Sequence, residues 1–252
     1  MEGFLGDTTG AAAAGATFVG QATFNGCIAV TAWPRREVAA LLPQGLEPAP
    51  TESPADRHPV VFVFGEQTSG AVRVGGYPFP VGRDYREICV AVPFVRHVHG
   101  QYLHTFIPRM YATYLPAVWN GNAHYGFSKR MARISWEGAL YLVTTATGAL
   151  LLHTETDAVK TSGSAPMPTP FHAMRAMFAL PVLGRKADGS YVTSYFEWDF
   201  DTAAVDAADV AVSIEDGFLD GLGPRRCADV PGGSFAVRGM VWRLSWPSPC
   251  RF

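Results

Sequence analysis

Most apolar stretches in this chain are short and rich in β-branched and aromatic residues. Gly, Pro, Asn or Asp bound them, which is the pattern of strands. Residues 16–33 alternate apolar with small or polar positions and predict one or two strands. The run 60–64 (VVFVF) is apolar throughout and predicts a strand covered on both faces. Further strands are predicted over 84–98, 101–107, 127–134, 138–147, 149–155, 190–200, 204–214 and 234–246. Two stretches follow helical spacing instead. Residues 34–42 (PRREVAALL) place Pro in the first turn and Val38, Leu41 and Leu42 on one face. Residues 108–119 place Tyr111, Leu115 and Val118 on one side and predict a second helix. Residues 171–183 carry helical and strand character in equal measure. The stretches 43–59, 65–82 and 157–170 are rich in Pro, Gly or charge and predict loops and turns. Residues 1–15 predict a flexible N-terminus.

Many strands with few short helices predict a mainly β fold, a single-domain closed antiparallel barrel or double-layered sheet. The 252 residues fit one large domain, and no linker or internal repeat divides residues 16–252. With 48% of residues apolar, the chain can bury a large core. The net charge of −2 and the lack of a basic run argue against nucleic acid as a partner. The four cysteines are far apart and form no C-x-x-C. Cys27 and Cys89 lie inside apolar runs and read as small core residues. No apolar run reaches membrane-spanning length, and the N-terminus lacks a basic signal-peptide region. The expectation is a reduced, cytoplasmic protein without a membrane partner.

Candidate chemistry centres on a scarce residue. The chain has three lysines, Lys129, Lys160 and Lys186, against seventeen arginines. Lys160 and Lys186 keep polar company, but Lys129 lies among Trp119, His124, Tyr125, Phe127, Met131, Ile134 and Trp136. On a strand, Phe127, Lys129 and Met131 share one face, and Ser128 and Arg130 share the other. Apolar surroundings disfavour an ammonium ion and leave a nucleophile that forms Schiff bases with ketones and aldehydes. A stem buried among aromatics with its head in water is the alternative. An amine catalyst needs a carboxylate to manage protons. Glu87 is the candidate, because Tyr85, Glu87 and Cys89 share one face of their strand. The exposed start of a strand is the alternative reading for Arg86 and Glu87.

These residues fall into an ordered set of motifs. Gln67-Thr68-Ser69-Gly70 resembles D-T-S-G, and Tyr85-Arg86-Glu87 resembles Y-x-E. Gly100-Gln101-Tyr102-Leu103-His104, then Gly121, then Phe127-Ser128-Lys129-Arg130-Met131 resembles G-D-Y-L-H, G-R-E and Y-P-K-K-L. Leu42-Pro43-Gln44-Gly45-Leu46-Glu47 resembles V-P-x-x-L-E. In this order and spacing, from about residue 22 to about 131, the chain resembles the acetoacetate decarboxylase-like family. That resemblance implies a β-barrel lyase that needs no cofactor and no metal. It implies Lys129 as the Schiff-base lysine and Glu87 as the active-site glutamate. Tyr85, Phe127, Met131, His124 and Arg130 are then candidates to bind a small carbonyl substrate, with Arg130 standing where the family has a second lysine. It also implies a homo-oligomer, at least a dimer.

The chain departs from the family at four places. Ser128 replaces a proline, and Gly121-Asn122-Ala123 stands for G-R-E. Thr23-Phe24-Asn25 lacks an expected arginine, and Val61 stands near an expected acidic residue. These departures move the expectation from acetoacetate towards a larger, less charged keto compound. They leave decarboxylation, aldol and dehydration chemistry open. Two rival readings remain. One is a barrel that binds a small apolar ligand without catalysis. The other is a metal site at His97-x-His99 with His104, for which the carboxylate that usually follows H-x-H is absent.

Overall fold

The computed structural model describes residues 16–50, 56–74, 77–80, 82–158, 169–227, 229–250 and 252. The stretch 1–15 lies outside them, as does most of the loop expected over 157–170. The first strands are β1 (Phe18–Pro34), β2 (Leu46–Pro48), β3 (Arg57–Val74), β4 (Tyr77–Pro80), β5 (Tyr85–His97) and β6 (His104–Ala112). Three short strands follow, β7 (Lys129–Met131), β8 (Arg133–Glu137) and β9 (Leu140–Thr144). Then come β10 (Leu150–Ala158), β11 (Val182–Arg185), β12 (Tyr191–Ser194), β13 (Phe196–Asp199) and β14 (Ala204–Ile214). The last are β15 (Arg225–Cys227), β16 (Asp229–Ser245) and β17 (Ser248–Cys250). Three helices interrupt them: α1 (Arg35–Leu41), α2 (Leu115–Ala123) and α3 (Thr169–Phe178).

The fold is mainly β, as the pattern predicts. Its long ladders run β16–β1–β3–β5–β6, all antiparallel. Past β5, the free edge of β6 is shared by two short parallel partners. Its first residues pair with β11 and its last three with β7. A second layer, β8–β9–β10–β14–β15, covers one face. Strand β14 joins the two layers: its first residues pair with β16 and its later ones with β10. The circuit of ladders is not closed. β12 pairs with β11, β13 pairs with β16, and the two meet end to end at Tyr195 rather than through a ladder. The expected closed barrel is therefore corrected to an open, double-layered sheet.

Strand alternation sorts the side chains of β3 and β5 into two environments. Phe62, Phe64, Ile88 and Val90 point into the main core, where they pack with Tyr141, Val143, Leu152 and Val212 of the second layer. Val61, Val63, Glu87, Cys89 and Ala91 point the other way, into a cavity.

Some predicted elements differ, and an ambiguous one resolves. β3 runs through 65–74, where turns were expected, because Gly65 and Gly26 mark a close crossing rather than a turn. A Cβ on Gly65 would lie 2.2 Å from the Asn25 carbonyl oxygen. Residues 108–119 split into the end of β6 and the start of α2, with Pro116 in the first turn of the helix. The ambiguous stretch 171–183 resolves into both of its readings, α3 and then β11.

β5 is broken by an irregularity between Val92 and Val95, where Phe94 has φ 55°. The carbonyls freed there find partners elsewhere. Phe94 O accepts from Ala49 N at 2.8 Å, and Pro93 O accepts from Nε2 of the fully buried His58 at 2.8 Å.

Candidate active site

Lys129 enters the cavity from the first residue of β7. The register Met110↔Lys129 places β7 on the edge of β6, one strand away from Glu87, which pairs with Ala112. Lys129 Nζ lies 2.5 Å from Glu87 Oε2, and each residue is 9% exposed. An amine and a carboxylate forty-two positions apart thus meet in a buried pair.

Several contacts fix this geometry. The Asn122 side chain clamps the Lys129 backbone, accepting from its N–H at 2.8 Å and donating to its carbonyl at 2.8 Å. Gly121 leaves room for the lysine stem, since a Cβ there would lie 3.3 Å from Lys129 Cε. Tyr141 Oη donates to the Glu87 carbonyl at 2.8 Å and anchors β5 beside the carboxylate. On the opposite face of the lysine strand, Arg109 donates to Ser128 Oγ at 2.9 Å and pairs with Asp220. Asn122→Ala is expected to slow trapping of a carbonyl compound at Lys129 about tenfold, because the strand that aims the amine loses its clamp. Adduct formation followed by intact mass, beside a melting curve that stays near wild type, checks this.

The cavity around the pair has a volume of about 160 Å³. Val63, Ala91, Val182, Phe196, Trp198 and Trp242 form much of its wall. Its polar lining includes Gln67, Tyr85, Thr105, Asn120 and Tyr125. Gln67 is buried and accepts from Trp242 Nε1 at 2.8 Å. Burial pushes the Tyr85 phenol well above its usual range, and the Glu87 charge adds to this. Burial also pushes up the Cys89 thiol; Glu87 raises it further and Lys129 opposes. Burial moves the Tyr125 phenol to about 12. These groups are neutral hydrogen-bonding walls around one charged pair.

Of the residues expected to bind substrate, Tyr85 and Phe127 line the cavity, and Met131, His124 and Arg130 do not. Met131 is 46% exposed. His124 packs against Trp119 and Trp246, with ring centroids 5.5 and 5.3 Å away. Arg130 reaches Asp220 at 3.4 Å, on the side that strand alternation assigns to it and Ser128. The sequence reading missed the walls from the C-terminal half, Val182, Phe196, Trp198 and Trp242. Their only signal is an alternation of apolar residues that any core strand carries. At the proposed metal motif, His97 stacks on Phe252 at 4.3 Å. Among the described residues, no three His, Cys, Asp or Glu side chains group to hold a metal.

No family model and no curated protein matches the sequence. Solved structures are similar in fold. An acetoacetate decarboxylase-like enzyme from Sphingomonas wittichii RW1 is similar at TM-score 0.62 and 12% identity, over 93% of this chain and 93% of that one. The acetoacetate decarboxylase from Legionella pneumophila subsp. pneumophila str. Philadelphia 1 is similar at TM-score 0.60 and 13% identity, over 93% and 89%. The enduracididine biosynthesis enzyme MppR, complexed with pyruvate, is similar at TM-score 0.59 and 13% identity, over 92% and 90%. The ladders, the second layer and the near full-length match together show that this chain has the acetoacetate decarboxylase-like fold.

Proposed function

We propose that this chain is a Schiff-base-forming lyase that acts on a carbonyl compound, with Lys129 as nucleophile and Glu87 as its proton-transfer partner. The observation that carries this reading is the 2.5 Å contact between Nζ and Oε2 inside a cavity that holds no other charged side chain among the described residues. Nucleophilic attack needs an amine without its extra proton, and Glu87 sits where it can take that proton. The Nζ lone pair adds to the carbonyl carbon, and the oxygen becomes a hydroxyl. Glu87 returns the proton to that hydroxyl, which leaves as water, and a C=N bond forms. The iminium then draws the electrons of a breaking bond on the adjacent carbon into an enamine. A carboxylate lost as carbon dioxide, a carbon–carbon bond cleaved or a proton removed all fit this step. Tyr85 and Phe127 flank the reacting carbon; Met131, His124 and Arg130, off the cavity, do not touch it.

Fold relatives support carbonyl chemistry at this site. One structure of MppR holds pyruvate and another the condensation product of pyruvate and imidazole 4-carboxaldehyde. The same resemblance supports an assembly of at least two copies, which light scattering of the purified protein tests. Borohydride reduction with a panel of keto acids, ketones and aldehydes tests the chemistry. The expected result is one stable adduct per chain, seen as a single mass increment. A chain that stays unmodified with every compound would instead favour non-catalytic binding of an apolar ligand.

A further inference from the structure

Lys129 and Glu87 are already paired, so together they bring no net charge to the cavity. Among the described residues, no other lysine, arginine, histidine or acid lines it. Arg109 and Arg130 lie on the other side of the lysine strand and are held by Asp220. Among these residues a carboxylate carried in by a substrate would therefore find no cation of its own. It would have to compete with Glu87 for Lys129 or be met only by neutral donors such as Tyr85, Asn120 and Gln67, without a compensating charge, which costs several kcal/mol. The neutral polar groups do not supply that charge. Gln67 presents a neutral carboxamide whose oxygen accepts from Trp242 Nε1. The Cys89 thiol is held protonated by its burial. At about 160 Å³, the space matches an apolar cavity of roughly 150 Å³, which admits one benzene ring.

Resting on the Schiff-base reading above, we infer that the substrate is an uncharged aryl or branched-alkyl ketone or aldehyde. Its carbonyl carbon meets Lys129 Nζ, and its apolar part lies against Phe196, Trp198 and Trp242. Such a compound has no carboxylate to lose, so the iminium is consumed through its α-carbon. The Glu87 carboxylate takes an α-proton. The C–H pair forms the C=C bond and the C=N π pair returns to nitrogen, giving a neutral enamine. The enamine carbon then adds to a proton or to a second aldehyde. The class of reaction is α-proton exchange and aldol-type carbon–carbon bond making or breaking, with decarboxylation excluded by the substrate itself.

The test compares phenylacetone with phenylpyruvate, which differ by a methyl group in place of a carboxylate. Each is reduced onto the wild-type protein with cyanoborohydride, and each yield is normalised to that on Nα-acetyl-lysine. Normalised trapping of phenylacetone is expected to exceed that of phenylpyruvate at least about tenfold. Phenylacetone in D2O is also expected to exchange its α-protons with the wild-type protein, and not with Glu87→Gln. Preferential trapping of phenylpyruvate, or equal trapping, overturns the uncharged-substrate inference and leaves the Schiff-base reading standing. No adduct from either compound, nor from acetoacetate or pyruvate, overturns both.

Discussion

Lys129→Ala is expected to give no adduct with any carbonyl compound under borohydride and to unfold at lower denaturant than the wild type. The first effect follows from the loss of the nucleophile. The second follows from burial. Glu87 is 9% exposed, and Lys129 is its ion-pair partner. Removing one member of a buried pair leaves an uncompensated charge and costs roughly 3–5 kcal/mol. Tyr141 touches the Glu87 carbonyl rather than its carboxylate and carries no charge to replace the ammonium. Converting the carboxylate to a neutral amide removes the stranded charge. The double variant Lys129→Ala with Glu87→Gln is therefore expected to recover a large part of the lost stability while remaining unreactive. Urea titrations of the four proteins measure this as a coupling between the two sites. Adducts that persist in the alanine variant would remove Lys129 from the chemistry. A double variant no more stable than the single one would mean that the pair is not a buried ionic contact.

The second large effect lies away from the cavity, at His58. This imidazole is fully buried, and its Nε2 donates to the Pro93 carbonyl at the break in β5. Its Nδ1 is buried without a partner. A second ring proton would have no acceptor, so burial lowers the His58 pKa to about 4, although the hydrogen bond to Pro93 opposes this. Arg35 adds a smaller depression. An unfolded chain protonates the same ring near 6.5. Above that pH both states are neutral, and His58 makes no pH-dependent contribution. As the pH falls from about 6.5 to about 4, the unfolded state gains a proton that the folded state refuses. Stability is lost over that window by about 3 kcal/mol in total. His58→Gln keeps an N–H donor for Pro93 and removes the titration. Its stability is expected to stay flatter between pH 6.5 and 4 than that of the wild type. Burial pushes His104 down as well, and that background slope is common to both proteins. Parallel slopes in the two proteins would show that the folded state accommodates a charged His58.

The parts of the site that were legible in the sequence are those set by local periodicity. Glu87 faces the cavity because Tyr85, Glu87 and Cys89 alternate with the core residues Ile88 and Val90, and a strand has no third side. Lys129 stood out because the chain uses arginine almost everywhere else. The same alternation places Ser128 and Arg130 on the outer side, against Arg109 and Asp220. Met131 escaped the rule because β7 ends with it and its side chain turns to solvent.

What stayed hidden depends on contacts far apart in the chain. Nothing near Trp242 or Phe196 reveals that β16 and β13 bring them across from Glu87. Gly65 read as a turn signal because glycine suits turns, but its use here is to let β1 and β3 approach where a side chain would strike the Asn25 carbonyl. Residues 108–119 read as one helix because Tyr111, Leu115 and Val118 fall at helical spacing. Tyr111 instead reaches out from β6, and its hydroxyl donates to the Phe218 carbonyl at 2.8 Å. The break at Tyr195 that opens the circuit of ladders has no counterpart in the sequence pattern, which runs unbroken from 190 to 200.

Because the chain has only three lysines and one α-amino group, the site of Schiff-base formation can be read directly. The wild-type protein is reduced with borohydride in the presence of a trapped ketone, digested and mapped by mass. The peptide containing Lys129 is expected to carry the whole increment. An increment on Lys160, Lys186 or the N-terminus, with the Lys129 peptide unmodified, would contradict the account.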